Sequence, residues 1–432
     1  MTVLAHGVGS RTDLPIPVGL ALYGAGAAIL LSFAILLLFW RTPRLGGPGR
    51  ALPLPVQRAV DSPAVRRGLQ AVALAAAGLV TAVAVAGPDD PDRNLAPWVL
   101  YVTFWVGLVP ASLLLGPVWR VVNPLRLLHR GLRVVIPRAP GAKRLPALGL
   151  WPASGALLVF VWLELVHPDR AEPSTVAIFL MGYAVVQLAL ALWFGEEWFA
   201  AGDGFEVYSS VVARLSPWAR RDDGKLVLRN PLANATAAPV EPGLAAVVVV
   251  LLGSTAFDGL SRTVFWQTGP GAANDIPSGT VGLLAMIALV AALYVTGSRL
   301  SGRLAGQPAA VQPRRYAGTL VPIAIGYTIA HYFSLFVLDG QTTWILAGNP
   351  FGLAGVDLFG TYGNVVDLRA VSPDTIALVQ VGAVVTGHVV GVTLAHERAL
   401  LSARRARASD QLPLVIVMVL FTVGGLGLLF GF

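Results

Sequence analysis

The residues of this sequence best suited to chemistry are a few histidines and the carboxylates that share their surroundings. His331 stands inside an apolar run, YTIAHYFSLFVLDGQ from Tyr327 to Gln341, which closes on Asp339, Gly340 and Gln341. Asp258 closes a second run (AFDG), and Glu164 lies near the end of a third (FVWLELVHPD). Ionisable groups at membrane depth are costly, so they normally have a job or a partner. Neutral His with Asp or Glu can hold zinc or another divalent ion without thiolates, and a catalytic site leaves one position open for water. His331, Asp258 and His6 as metal ligands, with Asp339 and Glu164 as ligand or catalytic base, would meet that need. The spacing is not diagnostic, because the chain has no His-x-His and no His-Glu-x-x-His. A plain interhelical hydrogen bond from His331, which shares a helical face with Tyr327 and Ser334, explains the histidine at least as well. A proton or ion pathway is the third possibility.

His388 invites comparison with His331 as the second axial ligand of a b-type haem. Counted from the outer ends of their runs, the two differ in depth by roughly 10 Å at 1.5 Å per residue, whereas axial ligands need nearly the same level. His388 is then left to bond a neighbouring helix, or to continue a polar path inward from Gln380. Asp258 and Asp339 each precede a glycine at the end of a run. Glycine there is the expected helix terminator, but a carboxylate faces the negative end of the helix dipole and calls for a positive partner. Arg262 is that candidate for Asp258; no basic residue is near Asp339 in sequence.

The elements that must position these residues follow from composition. Hydrophobic residues are 55% and charged residues 12% of the 432, against about a quarter charged in soluble domains. The sequence reads as an all-α integral membrane protein, a single polytopic domain over residues 1–432 with ten spans. They run roughly over 16–40, 68–87, 96–119, 147–166, 174–195, 242–260, 279–297, 316–338, 374–396 and 412–432. Of the 31 Lys and Arg, 26 fall in the alternate loops 41–67, 120–146, 196–241, 298–315 and 397–411. The positive-inside rule makes those loops cytoplasmic and puts both termini outside, in a cell (plasma) membrane protein. The net charge of +8 is then a topology signal and a contact with anionic lipid, which leaves nucleic acid without a role. Met1 to Pro15 lacks a cleavage pattern and reads as retained. With no cysteine, disulfides, thiolate metal sites and covalent haem attachment are excluded.

Two cytoplasmic segments have helical patterning. Residues 120–137 put Leu125, Leu128 and Leu132 on one side and Arg126, Arg130 and Arg133 on the other, as in a helix lying in the interface, with Asn123-Pro124 as its start. Residues 196–217 offer Trp198, Phe205 and Tyr208 as headgroup anchors. Gly387-x-x-x-Gly391 and Gly427-x-x-x-Gly431 suggest close helix contacts. Ten spans would divide into inverted halves of five, with Gly24, Gly26 and Gly253-Ser254 as candidate matching breaks. Residues 339–373 form a long outer loop, a candidate lid.

The stretches AHGVGSRTDLPIP, GPVWRVVNPLRLL, FVWLELVHPD, LLGSTAFDG, GYTIAHYFSLFVLDGQ and GHVVGVTLAHERAL together resemble a family of bacterial multi-pass membrane proteins commonly labelled fenitrothion hydrolase. That resemblance implies cleavage of an organophosphate triester and supplies no catalytic residues. Phosphotriester hydrolases of the soluble barrel type use a His-x-His pair and a modified lysine. Here the lysines, Lys143 and Lys225, lie in arginine-rich loops. The expectation is therefore a hydrolase acting on an apolar substrate at an outer-leaflet His and carboxylate site. The alternative is a secondary transporter, or a membrane component of a metal or redox pathway, with a path linking His331 to His388. In a purely structural subunit the same groups would only lock helices together.

Overall fold

A computed structural model describes residues 18–136, 140–141, 145–402 and 407–430. His6, Lys143 and Gly431 lie outside them. The chain is an all-α multi-pass membrane protein. Its main helices are α1 (Val18–Phe39), α2 (Pro63–Ala86), α3 (Leu95–Leu115), α4 (Pro124–Val135), α5 (Trp151–Leu165), α6 (Pro173–Phe194), α7 (Gly204–Val212), α8 (Leu244–Ser261), α9 (Ile276–Leu304), α10 (Val321–Ser334), α11 (Gly340–Ala347), α12 (Pro373–Ser402) and α13 (Ala408–Leu429).

Among the described residues nine apolar helical stretches are long enough to cross a bilayer. The fourth expected span is shorter: α5 has 15 residues, about 22 Å of rise, where a span needs about 20 residues. It is enclosed by α3, α7 and α8, with Leu157, Phe160 and Val161 fully buried, so other helices rather than lipid cover most of it. The eighth span is longer than expected. It runs from Ala309 to Ala347 through α10 and α11, joined by a π-helical turn at Leu335–Asp339.

Starts of the helices are built from short polar residues followed by proline. Ser62, Asn123 and Asp275 each accept a bond from a first-turn N–H with Pro63, Pro124 and Pro277 just inside. The side chain satisfies an orphan donor, while proline occupies a place whose N–H has no partner anyway. The Asn123-Pro124 start is as the sequence suggests.

Close packing relies on glycine where two backbones meet. Gly326 of α10 and Gly387 of α12 face one another, their Cα atoms so near that a Cβ on Gly387 would sit 2.6 Å from the Pro322 carbonyl oxygen. Gly391 meets the Thr319 carbonyl in the same seam. Gly427, by contrast, has no described residue within 4 Å of the place its Cβ would take. The expected breaks at Gly24, Gly26 and Gly253-Ser254 are absent, as α1 and α8 run through them without interruption. Irregularity lies instead in two π-helical stretches, Trp98–Val106 and Leu335–Asp339. They pack together, Phe336 against Gly107, with Thr103 bonded to Thr343 at 2.8 Å.

The loops sort into two faces. On the arginine-rich face Trp40 bonds Glu397, Arg130 bonds Gln70, Arg220 pairs with Asp61 and Gln307 bonds the Ser402 carbonyl. A small antiparallel sheet of β1 (Arg50–Ala51), β2 (Trp218–Arg220) and β3 (Leu226–Leu228), in the order β1-β3-β2, ties two of these loops together. On the opposite face Tyr101 bonds the Arg170 carbonyl, Arg93 reaches Tyr362 and Gln341 exchanges bonds with the Asp367 backbone.

Candidate polar site between α5, α8 and α10

Three of the expected residues come together at the arginine-poor face. His331 is buried, and its Nε2 lies 2.5 Å from Asp258 Oδ2. Asp258 is likewise buried and also receives Arg262, whose guanidinium reaches Oδ1 at 3.1 and 3.2 Å. Arg262 is thus the cation that a carboxylate near a helix end requires. Glu164, on α5, accepts a 3.4 Å bond from the Tyr332 hydroxyl at Oε1. Its second oxygen, Oε2, is buried and has no hydrogen-bond partner among the described residues. Glu164 and Asp258 are within electrostatic reach of one another. One helical turn therefore aims His331 at one carboxylate and its neighbour Tyr332 at the other.

The remaining candidates are elsewhere. Asp339 sits half-buried in the π turn, two turns past His331, and precedes α11 without a side-chain capping bond. The helix does not end at Asp339-Gly340, nor at Asp258-Gly259: α11 continues the first and α8 extends to Ser261 past the second. The expected terminators lose because Gly340 keeps a right-handed helical conformation (φ −57°). Because α11 takes up Gly340–Ala347, the irregular outer loop begins only at Gly348. Tyr327 is buried with its hydroxyl against Gly425 and unpartnered among the described residues. His388 is buried on α12, its Nδ1 2.8 Å from the Val384 carbonyl of its own helix and its Nε2 without a partner among the described residues. Gln380 is buried about two turns earlier on that helix. His331 Nε2 is committed to Asp258, so a bis-histidine haem through that nitrogen is not arranged.

A divalent ion does not fit the described part of this donor set; His6, the third expected ligand, lies outside the described residues. Among the described residues no three His, Asp or Glu side chains converge as a metal site. Asp258 and His331 satisfy one another, and the Arg262 guanidinium occupies the carboxylate where a dication would need it free.

A second polar centre, which the sequence reading missed, lies at the arginine-rich face. Arg126 of α4 grips Glu206 of α7 with two bonds of 2.9 and 2.5 Å, and its third nitrogen reaches Glu196 at 3.2 Å. Asn123 donates to Asp203 and Glu206 at 2.8 and 3.0 Å, and the Tyr183 hydroxyl to Asp203 at 2.6 Å. Asp203 caps α7 through Phe205 N and Glu206 N. Asp203 and Glu206 are fully enclosed. This corrects the expectation for both connectors. Helix α4 turns Arg126 inward together with Leu125 and leaves Leu128, Leu132, Val134 and Val135 exposed, so its charge meets protein. Trp198, Phe205 and Tyr208 are core residues, not headgroup anchors. The missed signal was acidic: Glu196, Asp203 and Glu206 in an otherwise apolar stretch beside an arginine-bearing helix.

Helix α7 joins the two centres. Tyr208 packs on Trp105 with ring centroids 4.6 Å apart. Its hydroxyl lies against Thr328, one turn before His331, without a well-formed bond, and within electrostatic reach of Glu164. The polar groups thus run from Arg262 and Asp258 through His331, Tyr332 and Glu164 to Tyr208, while Glu206, two residues before Tyr208 on α7, points to another side of the helix and belongs to the second centre. Comparison with protein-family models, curated proteins and solved structures finds no match.

Proposed function

We propose that this chain is a secondary transporter in the cell membrane that couples its cargo to protons, with His331, Asp258 and Glu164 as the exchanging groups. The observation that carries the reading is the enclosure of three ionisable side chains among α5, α8 and α10. Ionisable residues facing the interior of a helix bundle mark ion and proton pathways. Asp258 and His331 can trade one proton across their 2.5 Å contact, with Arg262 balancing the charge left on the carboxylate. Glu164 Oε2 is the open position at which a proton or a cargo atom would arrive. Tyr208 and Thr328 extend the polar group from Glu164 toward α7. His388 lies off this path, since the only side-chain bond it makes among the described residues is to its own helix.

A second reading, hydrolysis of an organophosphate ester as the family resemblance implies, draws on the same contact: Asp258 would orient His331 as a general base for water. One experiment separates the two. In a pH jump applied to protein reconstituted on a solid-supported membrane, wild type should give a transient protonation current that falls at least tenfold in Glu164→Gln and Asp258→Asn. Currents unchanged by both substitutions would remove the transport reading. Cleavage of a p-nitrophenyl dialkyl phosphate by wild type and not by His331→Ala would establish the other.

A further inference from the structure

The arginine-rich face holds a group of guanidinium ions that its carboxylates do not balance. Arg398 of α12 is half-buried, and its guanidinium makes no hydrogen bond or ion pair with a described residue. Arg315, also half-buried, is held beside it: Arg315 Nη1 donates to Gln307 Oε1 at 2.5 Å, Gln307 Nε2 donates to the Ser402 carbonyl at 2.9 Å, and Ser402 lies one turn past Arg398 on α12. Arg315, Arg214 and the Tyr316 ring are all within electrostatic reach of Arg398. The carboxylates nearby are engaged elsewhere. Glu241 pairs with Arg214, and Asp410 accepts from Ser409 and from the Arg407 backbone.

A half-buried guanidinium beside a second one is expensive unless an anion joins them. Its planar fork suits the paired oxygens of a phosphate, and basic pockets between helix ends at this kind of face are where phosphate headgroups bind. We propose that Arg398 and Arg315 form a binding site for a phosphate group, supplied by an anionic phospholipid headgroup or by free phosphate.

The test uses delipidated full-length protein in neutral detergent, with thermal unfolding followed during titration with phosphatidylglycerol, phosphatidylcholine or inorganic phosphate. Phosphatidylglycerol or phosphate should raise Tm saturably. Half-saturation should move at least tenfold higher in Arg398→Gln, less in Arg398→Lys, and not in Arg303→Gln, whose side chain is exposed on the same face. A response to phosphatidylglycerol alone identifies the headgroup as the source; a response to phosphate identifies the free anion. Should Arg398→Gln fail to fold, Arg315→Gln carries the same expectation without altering α12. Equal responses to phosphatidylglycerol and phosphatidylcholine with none to phosphate, or an equal shift in Arg303→Gln, would overturn the site.

Discussion

At the scale of single residues, Asp203 makes the most direct claim on measurement. Burial, reinforced by the charge of Glu206, raises its carboxyl to about 6, against the bonds from Tyr183, Asn123 and the backbone that favour the carboxylate. An unfolded aspartate titrates near 3.9, so between about pH 4 and 6 the folded chain keeps a proton that the unfolded chain has released. That contribution to stability is fully present below about pH 4 and is lost as pH rises through about 6. A displacement of about two units bounds it at about 3 kcal/mol. Asp203→Asn cannot titrate, so the Tm of wild type minus that of the variant should fall between pH 4 and pH 7. A difference that stays level or climbs over that range would sink the assignment. Residue types alone revealed His331, Asp258 and Glu164, because an ionisable group in an apolar run is conspicuous. Asp203 and Glu206 were missed because Trp198, Phe205 and Tyr208 made their segment read as an interfacial connector, and the arginine that pairs with Glu206 lies 80 residues earlier.

At the scale of elements, helix positions were legible and helix surroundings were not. Apolar length and Asx-Pro or Ser-Pro starts located the helices because both act within a few residues. Which face of α4 is buried depends on Glu206, 80 residues further on, and no local pattern carries that. Glycine spacing was similarly ambiguous. Gly387-x-x-x-Gly391 packs against α10, while Gly427 packs against no described residue. A Cβ on Gly387 would meet a backbone carbonyl that cannot rotate away, so Gly387→Ala should cost about 1–3 kcal/mol through overpacking. Gly427→Ala adds a methyl to open space and removes a poor helix former, so it should be neutral or gain up to about 1 kcal/mol. Thermal unfolding in one detergent measures both. Equal losses in the two variants would mean that the α10–α12 seam is looser than the Gly326–Gly387 approach implies.

For the whole molecule the open quantity is orientation, which decides whether the His331 and Glu164 end of the polar path meets the outside or the cytoplasm. The hydrogen bonds among loops sort them into two faces, and the arginine-rich face carries most of the 31 basic residues. Such a bias is retained on the cytoplasmic side during insertion, which would put the arginine-poor face, with Glu164 and Asp258 near it, outside. The absence of cysteine makes this easy to test, since any introduced thiol is the sole target. In intact cells a membrane-impermeant maleimide should label Val365→Cys and Ala272→Cys, both exposed on the arginine-poor face, and should label Lys225→Cys only after permeabilisation. The reverse pattern would turn the molecule over. Protons would then reach Glu164 from the cytoplasm, and the Arg398–Arg315 site would face the outer leaflet.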